Sequence, residues 1–285
     1  MSEKTTVLVT GITGKQGGAA AEALLAKGFK VRGLTRNTQS ETAKALAARG
    51  FEILHGNFDD PKSLHKAVHG TDAVFAMGTS FEAGIEAEVA QGIAIADAVK
   101  AEGVFLVYSS VAGADKQTGI PHFESKFRVE QHIKSIGVPH TIIAPVYFME
   151  NIYFPQTKEA LDSGTYATPL PTETTLQQVA VADIGNFAAL AIERRAEFEG
   201  KRIDIASDTS SGSAEAQLLS KALGKEVGYY QVPMEHIRAM SEDMATMYQW
   251  FIDTGYSVDI EGLRRRYPEV GWHTLETWIN EQKLN

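Results

Sequence analysis

Six short apolar runs, at residues 5–10, 30–36, 51–56, 72–78, 104–110 and 139–145, are separated by stretches long enough for a helix. Helical patterns fill four of the intervals, at 38–49, 61–68, 84–102 and about 122–136. Strands spaced this widely cannot be joined by tight hairpins; they need crossovers, and crossovers make parallel neighbours. The alternation therefore predicts an α/β chain with a doubly wound parallel sheet covered by helices on both faces. In such a sheet ligands lie beyond the carboxyl ends of the strands, which places Gly11–Gly17, Arg36, Asn57–Asp60, Met77–Thr79, Ser109, Ser110 and Pro145–Asn151 along one rim.

The first turn is the most informative part of that rim. Strand-like Thr5–Thr10 stops at Gly11, and an alanine-rich helical pattern begins by Gln16. Between them Gly11, Gly14 and Gly17 keep a three-residue spacing, so that backbone N–H groups can approach a bound anion closely. The helix N-terminus presents partial positive charge to the same place. A glycine turn that follows a strand, opens a helix and returns to strand at Val31 fits dinucleotide binding, with Thr13, Lys15 and Gln16 in the same turn.

Many NAD sites end the second strand on an acid that binds the ribose hydroxyls. Here the sequence reads Leu34-Thr35-Arg36-Asn37, which favours a 2′-phosphate and hence NADP(H), through a charge-assisted bond contributing about 1.5–3 kcal/mol. The alternative is a surface arginine after a strand. After the third strand, Asp60 before Pro61 reads as a helix cap, leaving Phe58 and Asp59 to flank an adenine.

Composition removes whole classes of chemistry. The 285 residues contain no cysteine, which excludes disulfides, thiolate metal sites and cysteine nucleophiles. A net charge of −9 argues against a nucleic-acid footprint, and no apolar run reaches membrane-spanning length. Residues 1–5 lead straight into the first strand, so the expected location is cytoplasmic. His65 and His69 share a helical face with no third ligand in view, so no metal site is expected.

Beyond residue 150 the alternation loosens. We expect a dinucleotide-binding domain over 1–150 and a smaller α+β lobe over 151–285, interleaved with it and shaping a substrate pocket. Within the lobe, 165–175 reads as loop, Asp183 as a helix cap, 212–223 as a helix, and Arg264–Arg266 as a solvated helix face. Ile237, Met240, Met244, Met247 and Phe251 form one helical stripe, read as core packing, or else as a pocket wall or partner surface.

Ser109 ends the fifth strand; His122 follows thirteen residues later, and Lys126 four after that, on the same helical face. Together, "TGITGKQGG", "VRGLTRN", "GNFDD", "PHFESKFRVEQHI" and "YFMENI" resemble the NmrA-like branch of atypical short-chain dehydrogenases, over nearly the whole chain. That resemblance implies a Rossmann-type fold and NADP(H), with Gly11–Gly17 on the pyrophosphate, Arg36 on the 2′-phosphate, and Lys126 on the nicotinamide ribose. Tyr147, Phe148 and Asn151 would line the nicotinamide side. His122 stands where short-chain dehydrogenases place their proton-donating tyrosine, and Thr38, Gln39, Ser40 and Glu41 stand where the redox-sensor subgroup tends to be basic. NADP selectivity is therefore expected to be modest.

The branch contains NADPH reductases of quinones and dyes, and also NADP sensors that regulate protein partners. Two functions follow from the resemblance: a reductase passing hydride to a small quinone-like or conjugated carbonyl or imine substrate, or a non-catalytic sensor in which loops 36–41 or 79–86 order on cofactor binding. His122 is either a proton source or a histidine at a helix start after Pro121, and Ser109 and Ser110 either bind substrate or merely end a strand. The long helix at 84–102 packs on the sheet or on a second subunit, leaving oligomeric state open.

Overall fold

The structure is a computed structural model that describes residues 5–78 and 80–282. The first half runs β1 (Thr6–Thr10), α1 (Lys15–Ala26), β2 (Lys30–Thr35), α2 (Glu41–Ala48), β3 (Glu52–His55), α3 (Pro61–Val68), β4 (Ala73–Met77), a short α4 (Ser80–Ala83), α5 (Ile85–Glu102), β5 (Phe105–Ser109), α6 (Pro121–Ser135) and β6 (His140–Pro145). The remainder runs β7 (Tyr147–Phe148), α7 (Pro155–Asp162), β8 (Thr165–Thr168), β9 (Thr175–Val179), α8 (Val181–Glu193), α9 (Arg195–Phe198), β10 (Arg202–Ile205), β11 (Asp208–Ser211), α10 (Gly212–Leu223), β12 (Gly228–Gln231), α11 (Met234–Met240), α12 (Glu242–Asp253), α13 (Ile260–Arg266) and α14 (Leu275–Glu281).

Seven strands form one parallel sheet in the order β10-β6-β5-β4-β1-β2-β3, with the order reversing beside β1. Every strand pair in it is parallel, so both faces must be covered. The strand sequences comply: Val7 and Val9 of β1 pack into one core with α1 and α8, while Leu8 packs into the other with α3, α5 and α6. All three are fully buried, each worth about 1.5–3 kcal/mol relative to exposure. Helices α1 and α8 approach so closely that a Cβ on Gly185 would lie 2.5 Å from the Ala19 carbonyl. Ala19 and Ala20 stand at that point of closest approach, where larger side chains would hold the helices apart.

The second half does not stand apart from this sheet, because β10 adds to its β6 edge and α8 covers one face. Its other strands form a three-stranded sheet, β11-β9-β7, and a pair, β12-β8. These lie around the carboxyl rim, with β7 leading directly out of β6.

Four expectations need correction. Residues 165–175 are not all loop: β8 occupies Thr165–Thr168 because Tyr166 alternates into the core and pairs with Tyr229 across the ladder. Asp183 is not the cap of α8, which begins at Val181; its carboxylate is buried and accepts from Ser207 Oγ and from His273 N and Nδ1. Burial does not describe the whole 237–251 stripe, since Ser241 breaks it into α11 and α12 and caps the latter through Met244 N. Met240 is consequently 73% exposed, while Met247 and Phe251 are buried. Finally, Arg264 is not solvated like Arg265 and Arg266: it turns inward and donates to the carbonyls of Ser207, Trp272 and His273, clamping the C-terminal segment.

Candidate functional site

The turn between β1 and α1 is tight because Gly14 N donates to Gly11 O at 2.8 Å and Gly11 adopts φ +61°. Gly17 sits directly on this turn. A Cβ there would lie 2.2 Å from Gly11 O and 2.6 Å from Thr10 O, a separation no side chain tolerates. Gly14 begins α1 without a side-chain cap, and among the described residues nothing accepts from the N–H groups of Lys15, Gln16 and Gly17. These donors, at the positive end of a twelve-residue helix, make a cradle for a phosphate.

The remaining rim follows the strand ends. Arg36 and Asp59 are exposed after β2 and β3, and Phe58 is half-buried against the core below. Asp60 caps α3 through Lys62 N, as its place before Pro61 implied. Thr13 is exposed in the glycine turn, whereas Ser109 is buried and donates to Gln16 Oε1 at 2.8 Å, tying β5 to α1. Thr79 lies outside the described residues.

Beside the glycine turn opens a cavity of about 410 Å³. Of the residues singled out from sequence, Lys15, Gln16, Met77, Gly78, His122 and Lys126 line it from one side. Tyr147, Phe148 and Asn151 line it from the segment after β6, and α12 closes it with Met244, Met247 and Phe251. Ser110 lines it too, its hydroxyl donated to buried Glu130 at 2.5 Å.

Lys126 is the most constrained cation in this wall. Its Nζ donates to Gly78 O at 3.0 Å and to Glu88 Oε1 at 2.7 Å. An ammonium has three hydrogens, so one remains for a ligand. Glu88 itself is fully buried and accepts a second bond from Ser125 Oγ. Lys15 Nζ reaches across to Glu150 O at 3.1 Å, and the Glu150 carboxylate binds Val181 N and Trp278 Nε1, fastening α8 and α14 to the rim. Burial raises the Glu150 carboxyl above its ordinary range.

His122 is buried in the first turn of α6, edge-on to Phe123, with Nδ1 2.7 Å from Asp243 Oδ1 on α12. Its Nε2 has no protein partner among the described residues. Farther along the cavity, Glu215 of α10 is buried and takes a hydrogen bond from Gln178 Nε2, with the Tyr166 phenol facing it. Burial moves its carboxyl up to about 7. The Tyr147 hydroxyl lies 3.4 Å from the Tyr248 hydroxyl; burial pushes both phenols upward.

Glu88, Asp243 and Glu215 were not anticipated from the sequence. For two of them a signal existed. Glu88 falls in register with Gly92, Ile95 and Val99, and Glu215 with Gly212, Ala216 and Leu219, so each is an acid inside a buried helical face. Asp243 beside Glu242 looks like ordinary first-turn acid and gives no such warning.

Comparison with known proteins agrees with this geometry at the level of fold and family. An NmrA-like family oxidoreductase of Aspergillus campestris, cpsB, is 31% identical over 260 residues, covering 80% of this chain and 76% of that one. Among solved structures, the negative transcriptional regulator NmrA in complex with NADP superposes with a TM-score of 0.81 at 22% identity, covering 98% of this chain and 95% of that one. The Escherichia coli NADPH-dependent quinone oxidoreductase QOR2, complexed with NADPH, superposes with a TM-score of 0.79 at 24% identity over 96% and 98% of the two chains. The model of the NmrA-like family matches residues 3–279, and with this span of agreement the chain is a member of the NmrA-like family.

Proposed function

We propose that the protein is an NADPH-dependent oxidoreductase that reduces a small quinone-like or conjugated carbonyl or imine substrate. The observation that carries this reading is the uncapped start of α1 over the Gly11–Gly17 turn, opening beside a cavity whose wall holds Lys126 with a hydrogen to spare. NADPH, when bound, supplies a hydride. In this reading the N–H groups of Lys15–Gly17 hold the pyrophosphate, Arg36 the 2′-phosphate, and Phe58 and Asp59 the adenine side. Lys126 donates its remaining hydrogen to the ribose, while Tyr147, Phe148 and Asn151 shape the nicotinamide side. Residues 1–150 then act as the dinucleotide-binding domain and 151–285 as the lobe that shapes the substrate pocket. The relatives named as oxidoreductases support the activity.

A second reading, an NADP(H) sensor that binds a protein partner, is favoured by the similarity to the NmrA regulator and by histidine at position 122. Titration with NADPH and NADH, followed by turnover assays on quinones, aldehydes and imines, separates the two. Tight NADPH binding with turnover supports the reductase; tight binding, no turnover and a cofactor-dependent change in a partner complex supports the sensor. Gly17→Ala should weaken NADPH at least 100-fold, because its Cβ collides with the turn, and Arg36→Glu should erase the preference over NADH. Undiminished NADPH affinity in Gly17→Ala would refute the cradle.

A further inference from the structure

Among the described residues, the buried acidic and basic side chains lining the cavity face an opposite charge, with one exception, while exposed Lys15 reaches a carbonyl. Lys126 pairs with Glu88, His122 with Asp243, and Lys15 with the Glu150 carbonyl. Among the described residues Glu215 has neutral neighbours alone to bond it, the Gln178 amide and the Tyr166 phenol. The groups that face it are Tyr147 of β7, Tyr166 of β8, Gln178 of β9, Asp208 of β11, Tyr229 of β12 and Tyr248 of α12. None of them is basic. A buried carboxylate without a counter-charge is costly, and a ligand that carries the charge in removes that cost.

The geometry points to a binding subsite at Glu215 for a cationic nitrogen on a planar, apolar body. The carboxylate supplies the counter-charge, Tyr147, Tyr166 and Tyr248 line the same cavity with aromatic rings that suit a delocalised cation, and Met247, Phe251 and Trp278 accept the apolar remainder. A protonated or quaternised C=N group fits this description. Hydride addition to its carbon moves the π pair onto nitrogen and leaves a neutral amine, so no proton has to be delivered. That suits a chain with histidine at position 122. The inference deepens the reductase reading and rests on it for the identity of this ligand as substrate.

Its test is the binding of 1-methylquinolinium and of its neutral isostere 1-methylnaphthalene, measured by calorimetry on the full chain with NADP⁺ present and absent. At pH 8 the cation should bind at least tenfold more tightly, and Glu215→Gln should abolish the difference. The advantage should also vanish at pH 5.5, below the titration of Glu215 near 7, with proton release on binding at pH 6.5. His122 also faces the cavity, and comparison with Glu215→Gln isolates the carboxyl. Equal affinity of the two probes, a preference surviving in Glu215→Gln, or binding of neither would overturn the subsite. NADPH titration of the same samples keeps the two ideas apart: cation preference without NADPH binding sinks the reductase reading alone, and NADPH binding without cation preference sinks this subsite alone.

Discussion

Glu88 and Glu215 sit at two parts of one cavity, each within the buried face of a helix, and the protein treats them in opposite ways. Glu88 is given an ammonium at 2.7 Å and the hydroxyl of Ser125, so its charge is matched inside the protein. Glu215 is given an amide and a phenol, and its carboxyl titrates only near 7. The contrast divides the cavity by purpose. Where Lys126 must be held in place, both charges are built in; where a ligand must enter, one charge is left unanswered.

The sharpest way to break this contrast is to remove the built-in cation. Lys126→Ala would leave Glu88 fully buried and unpaired, at a cost of about 3–5 kcal/mol. Urea unfolding measures this directly, and the double variant Lys126→Met/Glu88→Gln should recover most of the loss, because a neutral pair has no charge to strand. A Lys126→Ala protein as stable as wild type would mean that the pair is solvated and that the two acids do not differ in kind.

Glu215→Gln should act with the opposite sign, and only when the carboxyl is ionised. A group that titrates near 7 folded and at about 4.5 unfolded favours the fold most below pH 4.5, and that stability is lost as pH rises through 7. At pH 8.5 the variant should therefore be more stable than wild type, by up to about 3 kcal/mol, while at pH 4.5 the two should nearly coincide. Urea midpoints across this range give the comparison. A stability difference independent of pH would show that Glu215 has a counter-charge after all.

The two regions also differ in how far the sequence announces them. The parallel sheet and the glycine turn are written locally: apolar runs buried on both faces fix the strands, and three glycines mark a turn that a Cβ at position 17 would destroy. Lys126 and His122 were found because four residues on a helix share a face. Their partners were not, since Glu88 lies 38 positions from Lys126 and Asp243 lies 121 from His122, distances at which spacing carries no information. The ligand-facing wall assembles from β8, β9, α10 and α12, which meet only in the folded chain. The break at Ser241 was hidden for a related reason: Ile237, Met240 and Met244 keep helical spacing across a residue whose backbone is extended.

Asp243 provides the smallest effect and the finest test of the division. A carboxylate only accepts, so its contact with His122 places a hydrogen on Nδ1 and leaves Nε2 as the atom that can bind or release a proton at the cavity. In Asp243→Asn the amide can donate to Nδ1 instead, which selects the other tautomer. NADPH affinity should stay within about twofold, because Asp243 touches none of the groups assigned to the cofactor. Turnover of a neutral quinone should fall about tenfold with little change in KM, less than the roughly 100-fold or more that a positioned proton donor contributes, because the imidazole itself stays in place. Reduction of a cationic imine should be unaffected, because that product needs no added proton. If both substrates slow equally, Asp243 acts by packing α12 against α6, and the functional difference between the two ends of the cavity does not extend to His122.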